Sequence, residues 1–178
     1  MEWLDMYDEN RQPTGAKARR GEPFPPGGLH LVVHVCIFDR QGRMLIQRRQ
    51  KGKSAWPDRW DLSAGGCARA GETSRQAVER ETLEELGIAL DLKGVRPALT
   101  VNFSRGFDDL YLIERDIDLA SLRLQPEEVS QVDWASRETV LEMLESGAFI
   151  PYRRSLMELL FDMRGQMGML PKSEAKRS

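Results

Sequence analysis

A ten-residue apolar run, LHLVVHVCIF at residues 29–38, constrains the fold of this chain more than any other feature. Apolar and β-branched residues occupy both odd and even positions, so a strand built from this run buries both of its faces. Such a strand needs a layer of packed structure on each side of its sheet. The run therefore predicts a sheet that is covered on both faces.

The segments that follow this run predict the other layers. Residues 39–42, Asp-Arg-Gln-Gly, are a turn signal, and residues 43–49 predict a second strand that closes a hairpin. Further strands are predicted at residues 62–66, 95–103, 107–114 and 129–134, and helices at 73–86, 137–145 and 152–163. Strands, one helix, more strands and two final helices predict an α/β sandwich with a mixed sheet.

The two ends of the chain differ in pattern from this middle part. Residues 14–28 are rich in Gly, Pro and basic side chains, which we expect to interrupt regular structure. Residues 1–10 carry Trp, Leu, Met and Tyr side chains and predict a strand that covers the core. We therefore expect an N-terminal extension over residues 1–27 that packs on the core, a domain over residues 28–165, and a polar tail over residues 166–178.

Charge and composition exclude several classes of protein. The 178 residues include 28 acidic and 26 basic side chains, a net charge of −2 that gives no support for binding a nucleic-acid polymer. No apolar run approaches the roughly 20 residues that span a bilayer, and the acidic N-terminus lacks the features of a signal peptide. Two cysteines are too few for a disulfide framework. We expect a cytoplasmic protein that binds no membrane.

A cluster of glutamates stands out on the helix predicted at residues 73–86. Glu81, Glu84 and Glu85 are three or four residues apart or adjacent, so their carboxylates repel one another on one side of the helix. A hard divalent cation such as Mg²⁺ would convert that repulsion into binding. Arg80 is placed to orient the cluster, and Glu72, one turn before the helix, could hydrogen-bond back to it. A solvated acidic helix face is the alternative explanation.

The spacing around these glutamates resembles the signature of the Nudix hydrolases. Gly66 is followed after five residues by Glu72, and after seven more by the pair Arg80-Glu81. Glu84-Glu85 and Gly87-Ile88 then complete the pattern Gly-x5-Glu-x7-Arg-Glu-U-x-Glu-Glu-x-Gly-U, in which U is aliphatic. Every fixed position matches. The one departure is Thr82, a β-branched residue at the first U position.

This resemblance implies a fold, an activity and a set of roles. The fold is the Nudix α/β/α sandwich, and the activity is hydrolysis of a diphosphate linked to a moiety X, by water attack at phosphorus with Mg²⁺ or Mn²⁺. The implied metal ligands are the carbonyl of Gly65 and the carboxylates of Glu81, Glu84 and Glu85. Glu81 is also a candidate base. Arg80, Glu72 and Gly66 match residues that support the cluster.

Many Nudix enzymes use one more acidic residue outside the signature. Glu128, just before the strand predicted at residues 129–134, is our choice for this catalytic role. Its neighbour Glu127 and the pair Asp108 and Asp109 remain alternatives, and each of these acids could equally be an exposed turn residue.

A second resemblance is to type I isopentenyl-diphosphate isomerase, a member of the same superfamily. It covers residues 29–34, 45–49, 53–61 and 71–72. The isomerases place a catalytic cysteine seven residues before the signature glutamate, where this chain has Gly65, and a histidine ligand where it has Cys67. His30 matches one of their two other histidines, and the second falls at Pro23. These departures favour hydrolysis, with an isomerase as the alternative and a non-catalytic nucleotide-sensing module as another.

Candidate substrate contacts lie in the basic segment of residues 40–53. This segment holds six cationic side chains and no acidic one, and a guanidinium fork matches phosphate oxygens. We expect a small-molecule diphosphate to be bound by Arg48, Arg49, Lys53 and His30. Trp56 and Trp60 could stack on a substrate ring or tail, but core packing is the favoured interpretation. A homodimer formed through the N-terminal piece is a further expectation.

Overall fold

The computed structural model describes residues 2–168 and Leu170. Most of the tail predicted at residues 166–178, including everything from Pro171 onward, lies outside these described residues. These described residues form nine strands and three α-helices. The strands are β1 (Trp3–Tyr7), β2 (Pro13–Arg19), β3 (His30–Phe38), β4 (Met44–Arg49), β5 (Trp60–Asp61), β6 (Ala64–Cys67), β7 (Leu99–Phe103), β8 (Gly106–Glu114) and β9 (Val129–Ala135). The helices are α1 (Ser74–Leu86), α2 (Arg137–Glu145) and α3 (Arg154–Asp162).

Strand β3 is the centre of a seven-stranded mixed sheet, as its apolar run predicts. The main path of the sheet runs β5-β4-β3-β8-β7, while β6 also pairs with β3 and β9 with β4. β3 and β8 are parallel, and the pairs of β3 with β4 and with β6 are antiparallel. The hairpin predicted between β3 and β4 is confirmed, with a turn closed by Gly42 at a φ of 84°.

The two faces of β3 bury different layers. Alternate residues such as Val33 and Val35 pack against Ala77 and Val78 of α1. On the opposite face, Phe38 belongs to a second core with side chains of the last two helices, among them Val140, Leu141, Met157 and Leu160. The predicted α/β/α sandwich is thus confirmed, and helix α1 is fixed against the middle of the sheet.

The N-terminal segment forms a hairpin of its own. β1 and β2 pair antiparallel, and Leu4, Met6 and Ala18 form a small third core that Phe24 and Cys67 adjoin. The prediction that residues 14–28 interrupt regular structure is therefore wrong for residues 14–19, which lie in β2. Main-chain hydrogen bonds to β1 hold β2 in an extended conformation. The Gly- and Pro-rich composition of the segment does not reveal this pairing.

No helix within residues 2–168 is long and apolar enough to cross a bilayer.

Candidate active site

Helix α1 begins and ends at residues that the sequence marks. Thr73 caps its N-terminus in a capping box with Gln76, and Gly87 ends it in the left-handed conformation with a φ of 72°. Thr82, the one departure from the signature, is fully buried, and its hydroxyl donates to the carbonyl of Val78 at 2.7 Å. The hydroxyl is therefore satisfied inside the helix, and the substitution leaves the position packed like an aliphatic one.

Glu81 and Glu85 lie against the glycine pair of β6. A Cβ atom on Gly66 would be 2.2 Å from Oε1 of Glu81, so only glycine leaves room for that carboxylate. Oε2 of Glu85 accepts hydrogen bonds from the Gly65 N–H at 3.2 Å and from Nε2 of Gln47 at 3.0 Å. Both glutamates are more than nine-tenths buried. The strand and the helix thus bring together two of the three predicted carboxylate ligands and the predicted backbone ligand.

The two carboxylates are held in an electrostatically unfavourable state. Burial raises the pKa of Glu81, and burial together with the nearby Glu81 charge raises the pKa of Glu85 to about 8. Oε1 of Glu81 is buried and, apart from an ion pair at 2.9 Å with Nη1 of Arg80, has no partner among the described residues. A cation bound between these groups would satisfy that oxygen and compensate both charges.

Glu84 points elsewhere. Its carboxylate accepts two hydrogen bonds of 3.1 Å from the guanidinium of Arg69 and one of 3.1 Å from Arg80. Among the described residues, no three acidic, histidine or cysteine side chains already converge as metal ligands. The donors nevertheless fit a hard cation, because Glu81 and Glu85 offer buried carboxylate oxygens beside the main chain of Gly65 and Gly66. Glu84 would join them by leaving Arg69.

Arg80 ties the cluster to the segment before the helix. Its guanidinium donates to both oxygens of Glu72, at 2.7 and 2.9 Å, and to the carbonyl of Cys67 at 3.1 Å. Although burial opposes it, the hydrogen bonds from Arg80 lower the pKa of Glu72, and Glu72 in return raises the pKa of Arg80. Glu72 therefore does hydrogen-bond back to the helix, as the spacing predicts.

Three of the four acids considered outside the signature, Glu128, Asp108 and Asp109, have a basic or polar partner. Glu128 accepts a short hydrogen bond from Lys53. Asp108 accepts from Nδ1 of His34 at 2.9 Å, and Asp109 is held by Arg11 and Thr100. Burial opposes protonation of His34, but the Asp108 carboxylate raises the pKa of His34 to about 9. The catalytic role of Glu128 stays a prediction.

Three cationic side chains of the basic segment form ion pairs with acidic residues outside it. Arg48 pairs with Asp58 at 3.0 Å, Arg49 with Asp61 at 3.3 Å, and Lys53 with Glu128. Acids that are remote in sequence or lie beyond residue 53 thus neutralise the predicted phosphate contacts. A role for these three side chains in substrate binding stays a prediction, and it would require them to exchange partners.

His30 and Trp56 lie at a separate cavity of about 1220 Å³ that also involves Phe24, Cys67, Phe103 and Arg105. The prediction that Trp56 packs in the core is wrong, because this side chain is 50% exposed on a loop where its φ is +50°. Cys67 connects the cavity to the carboxylates, because its carbonyl accepts from Arg80 and it follows Gly66 in β6. Phe24 is far in sequence from Phe103 and Arg105, and no local pattern marks Phe24 or Arg105, whereas Phe103 raises the same choice between stacking and core packing as Trp56.

Comparisons with known proteins agree with this geometry. The NUDIX domain family model matches residues 28–157. An uncharacterized Nudix hydrolase of Listeria monocytogenes is 51% identical over 152 residues, covering 85% of this chain and 90% of that protein. An isopentenyl-diphosphate Delta-isomerase of Streptomyces avermitilis is 31% identical over 162 residues, covering 88% of this chain and 81% of that protein.

A solved structure shares the architecture. The crystal structure of the protein DR0079 from Deinococcus radiodurans superposes with a TM-score of 0.70 at 26% sequence identity, covering 89% of this chain and 97% of that one. The family match, the Listeria relative and the complete glutamate signature on α1 agree with one another. The chain therefore belongs to the Nudix hydrolase family, whose members hydrolyse pyrophosphate-containing compounds.

Proposed function

We propose that this protein is a Mg²⁺- or Mn²⁺-dependent hydrolase that cleaves the diphosphate linkage of a small substrate, of the nucleoside-diphosphate-X type or related to it, by water attack at phosphorus. The observation that carries the proposal is the buried carboxylate of Glu81, whose Oε1 is paired only with Arg80 among the described residues, beside the Glu85 carboxylate and the Gly65–Gly66 pair. Two buried carboxylates in contact with backbone glycines are costly unless a cation joins them.

The residues of this site have distinct proposed roles. Glu81, Glu85, the Gly65 carbonyl and a repositioned Glu84 would hold the metal, which when bound neutralises phosphate charge and lowers the pKa of water. Arg80 and Glu72 fix the start of the helix relative to β6, so that the carboxylates keep their positions. Glu81, or Glu128 from the loop before β9, is proposed to take the proton from the attacking water.

The local geometry disfavours the isomerase alternative. A side chain at residue 65 would begin with a Cβ atom 2.3 Å from Cδ2 of His34 and 2.8 Å from the carbonyl oxygen of Val33. The position of the isomerase cysteine is therefore closed to any side chain in this backbone. Cys67, two residues away, is not a substitute that the geometry favours, because burial raises the pKa of its thiol and keeps it protonated.

Phosphate release from a panel of diphosphate compounds tests the proposal. For nucleoside-diphosphate-X compounds, whose cleavage yields two phosphomonoesters, it is measured after phosphatase treatment of the products. The panel is run with Mg²⁺, with Mn²⁺ and with EDTA, and includes isopentenyl diphosphate with analysis for its isomer. We expect metal-dependent phosphate release and no isomer. Glu85→Gln should lower turnover by about 10²-fold or more, since it removes one group that holds the reacting centre. Glu142→Gln, an exposed acid of α2, is the matched control.

Three outcomes would contradict the proposal. Turnover of Glu85→Gln at the wild-type rate would show that the carboxylate cluster does not act. Isomer formation would favour the isomerase. Binding of substrates without any metal-dependent release would favour a nucleotide-sensing module.

A further inference from the structure

The aromatic cavity described above is built from three parts of the chain. The N-terminal extension supplies Leu4, Arg20 and Phe24, and the loop before β5 supplies Trp56. The end of β7 supplies Phe103, the turn after it supplies Arg105, and His30 forms part of the wall. Phe24 and Phe103 pack edge-on against the His30 ring, with centroids 4.8 and 5.5 Å away. The rings around His30 are therefore held in fixed orientations by one another.

Trp56 differs from these packed rings. It is half exposed and has a positive φ, which is rare for a bulky residue and costs free energy at this position. Among the described residues, the Trp56 ring makes no aromatic ring contact and no cation–π contact. A strained, outward-facing tryptophan beside a cavity is suited to stacking on a ligand.

His30 gives the cavity a polar edge of defined character. Its Nδ1 lies 2.7 Å from the carbonyl oxygen of Arg105, and because a carbonyl only accepts, Nδ1 carries the proton. Burial lowers the pKa of His30, so the ring is neutral near pH 7 and Nε2 is a hydrogen-bond acceptor. Nε2 makes no hydrogen bond among the described residues. A ligand with an N–H or O–H donor would satisfy it, whereas a hydrocarbon chain would not.

The cavity also has an uncompensated cation and a direct connection to the carboxylates. The guanidinium of Arg105 lies over the Phe24 ring at 4.4 Å and has no acidic partner in the part of the chain that the structure describes. Cys67 lies in the cavity wall, two residues along β6 from Gly65, a span of about 6–7 Å on an extended strand. One short substrate could therefore occupy the cavity and reach the carboxylates.

We propose that this aromatic cavity is the specificity pocket for the moiety X, and that it takes a planar ring with a hydrogen-bond donor on its edge, stacked on Trp56 and Phe103 and bound by His30. The inference rests on the proposed hydrolase function. It makes the N-terminal extension a part of substrate selection, because Phe24 fixes both the His30 ring and the Arg105 guanidinium.

Binding of two ligands that share the diphosphate group but differ in X tests this pocket. Adenosine diphosphate carries a planar ring with donors, and isopentenyl diphosphate carries a branched hydrocarbon. Both are titrated calorimetrically into the protein in EDTA, so that no metal-dependent hydrolysis occurs. We expect adenosine diphosphate to bind at least about tenfold more tightly, and Trp56→Ala and Phe103→Ala each to weaken it about five- to fiftyfold. Neither change should alter binding of isopentenyl diphosphate by more than about twofold.

Two further variants distinguish a loss of contacts in the cavity from the loss of an exposed tryptophan elsewhere or of the His30 ring itself. Trp3→Ala removes a tryptophan of matched exposure, 53%, that lies outside the cavity, and it should leave both affinities unchanged. His30→Phe keeps a ring but removes Nε2, and it should weaken adenosine diphosphate about fivefold or more. The Arg105 carbonyl still accepts from the main-chain N–H of residue 30 in this variant, and melting temperatures check that each variant is folded.

The outcomes distinguish the two proposals. Equal binding of the two ligands, or loss of both affinities alike in Trp56→Ala and Phe103→Ala, would overturn the specificity pocket even if the enzyme hydrolyses diphosphates. Selective binding that these variants abolish supports the pocket, and it does so even if no substrate of the panel releases phosphate, a result that would overturn only the proposed hydrolysis.

Discussion

The guanidinium of Arg69 holds the carboxylate of Glu84 with two hydrogen bonds of 3.1 Å, and the same guanidinium reaches Glu2 of the N-terminal extension at 2.7 Å. Glu84 is one of the three glutamates that the Nudix signature assigns to the metal. In this arrangement it is held by an arginine at a variable position of the signature, and a metal would compete with that arginine for its oxygens. The N-terminal extension is thereby connected to the proposed metal site through one side chain.

Arg69→Gln should therefore strengthen metal binding. The Arg69–Glu84 pair is more than one-third exposed on both sides, and exposed ion pairs contribute under about 1 kcal/mol. We expect the Mg²⁺ concentration for half-maximal phosphate release to fall about two- to fivefold, with little change in melting temperature. An unchanged Mg²⁺ requirement together with a raised KM would contradict this and would instead indicate that Arg69 contacts the substrate.

Gly66→Ala should abolish activity through Glu81. The new Cβ atom would lie 2.2 Å from Oε1 and 2.5 Å from Cδ of Glu81, so the carboxylate must move off the glycine pair. We expect turnover to fall by about 10²-fold or more. Gly52→Ala is the matched control, because a Cβ atom there meets nothing within 4 Å and Gly52 lies in a loop. Activity of Gly66→Ala comparable to that of Gly52→Ala would show that Glu81 does not need this position.

The site could be predicted where its signal is local. Thr73, Arg80, Gly87 and the three glutamates lie within one helix and its caps, and helical spacing alone places them relative to one another. The central strand was equally predictable, because the continuous apolar run that ends at Phe38 has few alternatives to a doubly covered strand.

Features that depend on distant pairing could not be predicted. The extent of β2 follows from pairing with β1, and its Gly and Pro content argues against a strand. The ion pair of Lys53 with Glu128 joins residues 75 positions apart. The sequence of the basic segment therefore does not show that this lysine already has an acidic partner. Trp56 is half exposed and has a positive φ that its residue type disfavours, so neither feature follows from the sequence.

The stability of the metal-free protein should fall as pH rises, because of Glu85. The folded pKa of Glu85 is raised from 4.5 to about 8, so between these values the folded state binds more protons than the unfolded state. Stability is then lost with rising pH across that window. Urea unfolding at pH 5 and pH 8.5 in EDTA should show a loss on the order of 3 kcal/mol larger in wild type than in Glu85→Gln.

The comparison with Glu85→Gln isolates this effect, because His34 titrates in both proteins. Added Mg²⁺ should restore stability at pH 8.5 in wild type and much less in the variant, since the cation compensates the ionised carboxylate. Parallel pH dependence of the two proteins in EDTA would show that the Glu85 carboxyl does not titrate in this window.

The N-terminal extension should depend on Arg11 for its attachment to the main sheet. Arg11 donates to both oxygens of Asp109, at 3.0 and 2.7 Å, and Asp109 is only 1% exposed. Arg11→Ala leaves a buried carboxylate whose side-chain donors are hydroxyl groups, those of Thr100 and Ser74, and we expect a loss of about 2–3 kcal/mol in unfolding free energy. Arg40→Ala breaks the exposed pair with Asp116 and should cost under about 0.5 kcal/mol. If Arg11→Ala unfolds at the same urea concentration as Arg40→Ala, the attachment does not depend on Arg11. It then rests on the apolar contacts of Leu4 and Met6 together with the main-chain hydrogen bonds that join Tyr7 to Leu29.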